Sequence, residues 1–214
     1  MQIKIIILFI TLVLSNKVIG ANRDNTTCGI EQGVPLQNAY GPWDFTNPAH
    51  SSKLPIVLGA HFTSNVEKLK SGQTGKLIAD IDYTLRAIPN YHRALYAMAK
   101  HQRIEKMAFR NIDKYYTADC YFKRALYFQP NDAISHMIYA IHLQQTQRLE
   151  EAKEHYRVAL TLLPENPEIN YNAGLLYVKL GDLVKARQHA EVAYQQGYPL
   201  QGLAKQIENF SNVE

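Results

Sequence analysis

A repeated pattern of small and aromatic residues in the second half of the chain most constrains its fold. Ala152, Tyr156 and Ala159 stand 12, 8 and 5 residues before Pro164. The same ladder, displaced by one residue, precedes Pro199, and the two windows begin 34 residues apart. A period of this size is typical of stacked helical hairpins, because each hairpin buries its apolar face only against its neighbours. The pattern therefore predicts an all-α solenoid.

The ladder also defines the individual repeats. Two regular repeats occupy residues 133–166 and 167–200. An elongated repeat occupies about 92–130, because Pro89 and Pro130 are 41 residues apart rather than 34. The additional residues amount to nearly two helical turns, so we expect extra turns near 101–114 that lengthen this hairpin without rotating its faces.

Less regular segments flank these repeats. Residues 64–88 read as a degenerate helical pair, so the repeat domain is expected to cover 63–200. After Pro199, Leu203, Ile207 and Phe210 fall on one face of a helix. A repeat stack exposes its last apolar surface unless a terminal segment covers it, so residues 201–214 are predicted to form a capping helix.

These residues resemble the tetratricopeptide repeat family, in particular its small secreted bacterial members. The residues that carry the resemblance are Tyr139, Ala140, Leu143, Ala152, Tyr156, Ala159, Pro164, Ala173, Gly174, Tyr177, Gly181, Ala186, Ala190 and Ala193. The resemblance implies a TPR-like helical-hairpin solenoid that serves as a binding scaffold rather than as an enzyme. It also implies a concave groove lined by the first helix of each hairpin.

The resemblance assigns the groove to fixed places on each first helix. These places hold Arg93, Tyr96, Lys100, Ile104, Ile134, Met137, Ile141, Gln144, Gln145, Glu168, Tyr171, Leu175, Val178 and Lys179. The set is amphipathic, with cations for a carboxylate and apolar side chains for an apolar partner residue. One subfamily grips peptide C-termini through paired Lys and Asn residues. We do not expect that mode here, because Tyr96, Met137 and Tyr171 stand where the first of those lysines would be.

The N-terminus reads as a secretory signal over residues 1–20. Lys4 precedes an apolar run over 5–14, and small residues follow near Gly20 and Ala21. The alternative is a membrane anchor, but the run spans only about half of the ~30 Å hydrocarbon core and Lys17 closes it. We therefore expect cleavage, a periplasmic or secreted protein, and no stable membrane insertion.

Two cysteines, Cys28 and Cys120, remain after removal of the signal. In an oxidising compartment an even pair predicts a disulfide. The alternative is two unrelated thiols, with Cys120 serving as a small buried residue.

Residues 21–62 differ from the rest of the chain, because Asn, Gly, Pro, Thr and Ser dominate and no helical period persists. Tyr40, Trp43 and Phe45 lie between turn-forming residues. We expect an irregular, extended aromatic arm whose rings pack on the helical body. The alternative is that these rings contact a ligand directly.

Charge and motifs exclude several classes of function. After removal of the signal, 21 basic residues face 19 acidic ones, which is too small an excess to indicate nucleic-acid binding. His155 and His189 occupy equivalent places on outer helices, too far apart to share a metal, and both are expected to be solvated. No phosphate-binding loop, nucleophile elbow or calcium loop is present in the sequence. We therefore expect no cofactor, no metal and no catalysis.

Three hypotheses for function remain. The first is a secreted scaffold that binds a peptide or protein partner in the cell envelope through the groove. The second is a glycan-binding or cell-wall-binding accessory, or a hydrolase, that uses Tyr40 and Trp43 as a stacking platform. The third is a structural role in which the repeats stack into a homo-oligomer.

Overall fold

A computed structural model of the chain describes residues 23–105 and 114–211, so the predicted signal at 1–20 lies outside the described residues. Within the described residues there are ten α-helices and no strand. The helices are α1 (Leu54–His61), α2 (Ser64–Glu67), α3 (Leu77–Ala87), α4 (His92–Ile104), α5 (Ala118–Phe128), α6 (Ala133–Gln145), α7 (Leu149–Leu162), α8 (Pro167–Lys179), α9 (Leu183–Gln195) and α10 (Gly202–Ser211). The predicted all-α class is confirmed. None of these helices is long and apolar enough to cross a bilayer.

Three antiparallel hairpins, α4–α5, α6–α7 and α8–α9, stack along the chain. Their first helices α4, α6 and α8 contact one another in that order and form a continuous surface. Most of the extra turns predicted near 101–114 fall on residues 106–113, which lie outside the described residues. Helix α4 ends just before them, at Ile104. The array is therefore the predicted helical solenoid.

The residues of the sequence ladder form the buried face of the second helix of each hairpin. Ala152, Tyr156 and Ala159 on α7 are all buried, as are the equivalent alanines of α9. Ala118 and Phe122 on α5 continue the same stripe. Small residues let neighbouring helices approach closely, and the aromatic ring fills the remaining space. The periodicity therefore reports core packing and not a binding surface.

The first helix of each regular repeat is capped at its N-terminus by a polar residue. The Asp132 carboxylate accepts hydrogen bonds from the backbone N–H groups of Ile134 and Ser135, both at 3.2 Å. Asn166 does the same for Glu168 and for Ile169, at 3.1 and 3.0 Å, and Pro167 occupies the first helical position. These bonds satisfy backbone donors that have no partner within the helix.

The N-terminal arm (residues 21–62) is more helical than the sequence suggests. A 3-10 helix spans Pro48–Lys53 and α1 follows it directly, whereas we expected an irregular extended segment up to 62. Asn47 caps the 3-10 helix by accepting from the Ala49 N–H at 3.0 Å. The prolines lie in the first turns of these helices, where no backbone donor is needed. These helices were not predicted, because the composition of the arm and its lack of a helical period indicated an irregular segment.

The rest of the described arm is joined to the helices by covalent and hydrogen bonds. Cys28 and Cys120 form a disulfide, as predicted, which ties the arm to α5. The Thr117 N–H donates to the Asn25 side chain at 2.7 Å. The Trp43 N–H donates to the Ala87 carbonyl at 2.8 Å. The arm is therefore part of the folded domain.

The C-terminal helix α10 packs on α8 and α9. Leu203 is fully buried and Ile207 nearly so, and both belong to an apolar cluster with α8 and α9. A Cβ atom on Gly174 of α8 would lie 2.5 Å from Leu203 Cδ2. A larger residue here would have to displace the Leu203 side chain, so glycine allows α10 to pack closely on α8.

Candidate functional site

A cavity of about 440 Å³ lies on the surface formed by α4 and α6. Its lining residues are Glu67, His92, Arg93, Tyr96, Lys100, Ile134, Met137, Ile138, Ile141 and Glu168. Helices α4 and α6 each contribute four of them, because residues three, four and seven places apart share one face of a helix. Glu67 ends α2 and Glu168 lies in the first turn of α8, so acidic side chains also border the cavity. We call this space the groove cavity.

The groove cavity has an apolar floor and a half-exposed aromatic rim. Met137 is 2% exposed and Ile138 is 7% exposed, so both expose little surface. Tyr96 is 45% exposed and stands on the α4 wall. A floor of this kind favours an apolar side chain of a ligand, whereas the tyrosine supplies both a ring and a hydroxyl.

Charges of both signs surround the floor. Arg93 makes a bidentate ion pair with Glu67, and the hydrogen bonds that its guanidinium donates to this carboxylate raise the pKa of Arg93. The Lys100 ammonium and the Glu168 carboxylate make no ion pair or hydrogen bond with any residue that the structure describes. The cavity therefore presents one cation and one anion that are available to a ligand.

His92 is held in the α4 wall by the residue that starts α6. Its Nε2 lies 2.8 and 3.0 Å from the two carboxylate oxygens of Asp132. Burial of Asp132 opposes ionisation, but hydrogen bonds from His92 and Ser135 lower the pKa of the carboxyl below its ordinary value. The Asn90 amide donates to the Asp44 carboxylate at 2.8 Å and approaches Asp132 at 3.5 Å. This network fixes α4, α6 and the arm together beside the cavity.

Seven of the predicted groove residues lie together around the cavity, namely Arg93, Tyr96, Lys100, Ile134, Met137, Ile141 and Glu168. Their role in binding remains a prediction. Glu67, His92 and Ile138 also line the cavity and were not predicted from the sequence. Ile138 had a detectable signal, because it stands four residues after Ile134 and shares its helix face.

Other predicted groove residues are engaged within the protein. The Gln144 side chain accepts from the Tyr156 hydroxyl at 3.2 Å. Lys179 Nζ donates to the Gln144 backbone carbonyl at 3.3 Å. Gln145 accepts a hydrogen bond from Arg103, and Ile104 is exposed outside the cavity. The groove at this end of α6 is therefore partly closed by its own side chains.

Tyr171, Leu175 and Val178 on α8 do not line the groove cavity, which corrects the predicted surface. Tyr171 is 7% exposed, and its ring centroid lies 4.5 Å from that of Tyr198. Val178 is buried, and Leu175 is partly buried against the same cluster as Tyr171. The C-terminal segment covers this part of α8 because the stack ends here and its apolar surface needs a cover.

The three arm aromatics contact other rings of the protein. The Trp43 ring lies edge-on to Tyr40 and His50, at centroid distances of 5.5 and 5.4 Å. Phe45 lies edge-on to the ring of His92, 5.2 Å away. All three arm rings are partly buried against the core. Phe45 therefore supports a residue of the groove cavity from behind.

The outer-helix histidines are less solvated than the sequence suggests. His155 Nδ1 lies 2.9 Å from His136 Nδ1, and burial together with the charge of His136 lowers the pKa of His155 to about 4. His189 Nδ1 lies 2.9 Å from the Asn170 side-chain oxygen. Over the described part of the chain, no group of three or more His, Cys, Asp or Glu residues is arranged to hold a metal ion.

Comparison with known proteins supports a repeat architecture. The family described as TPR repeat matches residues 143–181, from the end of α6 to the turn before α9. PilF of Pseudomonas aeruginosa is 20% identical, with 75% of this chain and 67% of PilF covered at a TM-score of 0.53. MamA is 16% identical over 67% of this chain and 84% of that chain, at a TM-score of 0.44. No curated protein matches the sequence.

The matched segment contains the most regular part of the ladder, and the fold of PilF extends the likeness to most of the chain. Proteins built from these repeats are generally non-catalytic scaffolds that bind other proteins. Residues 143–181 are therefore similar to the TPR repeat family, and the likeness to PilF shows that most of the chain shares this fold.

Proposed function

We propose that this protein is a non-catalytic scaffold that binds an extended segment of a partner protein in the groove cavity. The observation that carries this proposal is the pairing of an apolar floor with two uncommitted charges of opposite sign. The partner segment inserts an apolar side chain over Met137 and Ile138. An acidic group of the same segment pairs with Lys100, and a basic or amide group faces Glu168.

The proposed mode of recognition uses the helix surface without a catalytic step. Tyr96 supplies a large ring at low conformational cost, as is common for residues that dominate binding energy at interfaces. Lys100 determines the orientation of the bound segment, because a charge on the α4 wall distinguishes the two directions in which an extended peptide can lie. The Asp132–His92 contact holds this wall against α6, so the surface is organised before a partner arrives.

We also propose that the protein acts in the periplasm or is secreted. Two features support this location. A disulfide closes a loop of 92 residues, and such bonds persist in oxidising compartments. The basic start and short apolar run at the N-terminus are typical of a secretory signal.

The binding proposal is tested by selecting ligands from a random peptide library. The immobilised target is the full chain without the predicted signal. We expect enriched peptides that share an apolar residue at a constant distance from an acidic one. Fluorescence anisotropy of a labelled consensus peptide then measures affinity for the variants. Tyr96→Ala and Lys100→Glu should each weaken binding at least about tenfold, as is common for central interface residues.

A matched control is Lys153→Glu, which makes the same charge change on the outer face of α7. This variant should bind the consensus peptide like the unmodified protein. Circular dichroism of each variant checks that the helices are intact. Failure to enrich any peptide, or peptides that bind Tyr96→Ala and Lys100→Glu normally, would refute the groove assignment.

A further inference from the structure

A second cavity of about 260 Å³ lies between the arm, α3 and α5. Its lining residues are Arg23, Gly29, Glu31, Val34, Pro35, Leu36, Gln37, Arg86, Tyr116 and Arg124. It shares no lining residue with the groove cavity. It is also smaller than the pockets that hold drug-sized ligands, which indicates a small molecule or ion.

Three guanidinium groups line this cavity, and two of them share one buried carboxylate. Arg86 Nε donates to Asp82 Oδ2 at 3.0 Å, and Arg23 Nη2 lies 3.6 Å from the same oxygen. The other oxygen of Asp82 accepts from the Tyr121 hydroxyl at 2.5 Å. The carboxylate of Asp82 is therefore already committed to its own partners.

Arg124 has no carboxylate partner although it is almost completely buried. It is 5% exposed, and no carboxylate oxygen of the described residues lies within 4.0 Å of its guanidinium. Its Nη1 donates to the backbone carbonyls of Cys28 and Gly29, at 3.1 and 3.3 Å. Its Nε is buried and has no hydrogen-bond partner among the described residues. A buried cation is costly unless it is paired, so this arrangement calls for an anion.

The aromatic and backbone walls of the cavity hold the guanidiniums in place. The guanidinium carbons of Arg23 and Arg124 each lie 5.0 Å from the centre of the Tyr116 ring. The Gly29 backbone has a φ of +60°, and a Cβ atom there would lie 2.1 Å from the Tyr116 hydroxyl oxygen. Glycine is therefore needed for the arm to close over Tyr116, and the disulfide at Cys28 holds it there.

We propose that this cavity binds a small oxyanion, either a phosphate group or a carboxylate, between Arg23, Arg86 and Arg124. Guanidinium groups present planar sets of N–H donors that match the oxygens of such anions. Glu31 is exposed at the edge of the cavity and makes no ion pair with a described residue. Its negative charge selects against large polyanions and favours a ligand with one anionic group.

The proposal is tested by isothermal titration calorimetry on the full chain without the predicted signal, with the disulfide intact. Inorganic phosphate, glycerol phosphate and acetate are titrated separately at a constant ionic strength set with sodium chloride. We expect saturable binding at one site for at least one of them. The preferred ligand then identifies the source as free phosphate, a phosphate ester or a carboxylate.

The surface arginines provide the decisive variants, because Arg124→Gln can fail to fold. Arg23→Gln and Arg86→Gln should each weaken binding about tenfold or more, which is the loss expected for a charge-assisted hydrogen bond. Arg157→Gln on α7 is the matched control, since this exposed arginine also pairs with a carboxylate. It should bind the anion normally.

Arg93→Gln separates this proposal from the groove proposal, because it alters the groove cavity and should leave anion binding unchanged. The absence of saturable heat with all three anions would overturn the proposal. The proposal would also be overturned if Arg23→Gln and Arg86→Gln bound the anion with the same affinity as the control Arg157→Gln. Neither result would affect the peptide-binding test.

Discussion

The disulfide between Cys28 and Cys120 should supply a large share of the stability of the domain. It closes a loop of 92 residues and joins the arm to α5, so it restricts the unfolded chain strongly. For a loop of 92 residues, the chain-entropy relation gives a loss of roughly 16 cal/mol/K, or about 4.6 kcal/mol at about 25 °C. Whole domains are stable by only about 5–15 kcal/mol, so reduction should lower the free energy of unfolding by a third or more.

The assay is equilibrium urea unfolding followed by circular dichroism, with and without reductant. Reduction should shift the midpoint of the unmodified protein to lower urea by the equivalent of about 4–5 kcal/mol. It should also increase the denaturant slope, because the unfolded chain without the cross-link is less compact and exposes more surface. The matched control is the double variant Cys28→Ala with Cys120→Ala, whose unfolding should not respond to reductant.

The double variant also separates the cross-link from the packing of the sulfur atoms. Both cysteines are buried, so their replacement by alanine adds a small packing loss of about 1 kcal/mol to the loss of the bond. Alkylation and mass measurement establish that both thiols are free in the reduced sample. If that sample unfolds at the same urea concentration as the oxidised protein, the argument from loop length is refuted.

Two further predictions concern the C-terminal cap and the buried histidines. Leu203→Ala should cost about 2–5 kcal/mol because this side chain is fully buried. Gly174→Ala should destabilise the unmodified protein by overpacking, yet should stabilise Leu203→Ala by about 1 kcal/mol through helix propensity. Additive effects in a double-mutant cycle would contradict this contact. The pKa values of His155 and His136 are lowered in the folded protein, so between about pH 6.5 and about pH 4 the unfolded chain binds more protons than the folded one. The free energy of unfolding should therefore decrease as the pH is lowered through that window. His155→Gln should reduce this loss between about pH 7 and about pH 5 by about 1 kcal/mol after solvent screening, measured by urea unfolding, and an unchanged pH dependence would count against it.

The repeat ladder predicted the array because it records contacts that recur in every hairpin. The places of Ala152 and Ala159 are again alanine on α9, because close packing of two helices needs small residues there, so the pattern repeats in the sequence. Helix α1 had no such pattern. Its eight residues are mostly apolar on all sides, with Pro55 in the first turn, so neither a one-sided period nor a clear start was visible.

The predicted groove residues lie around one cavity on α4 and α6, whereas those on α8 are covered by other parts of the chain. The surface places on α4 and α6 lie around one cavity because α4, α6 and α8 are stacked regularly. The same places on α8 hold Tyr171 and Leu175, which pack in one cluster with Tyr198 and Leu203, after the last helical hairpin. The contact of His92 with Asp132 was not predictable either, since these residues are 40 positions apart and follow no local spacing.

Two non-repeat segments therefore determine which part of the concave surface remains open. At one end, α10 and Tyr198 cover Tyr171, so the open surface stops at the first turn of α8. At the other end, Phe45 packs on the ring of His92, and the Asn90 amide joins the Asp44 carboxylate to the start of α6. Because both boundaries are built from packed and hydrogen-bonded residues, a partner meets a groove of fixed length. If the proposed groove binds a partner, we therefore expect a short extended segment to bind better than a long helix, since a long helix needs a continuous open surface across all three hairpins.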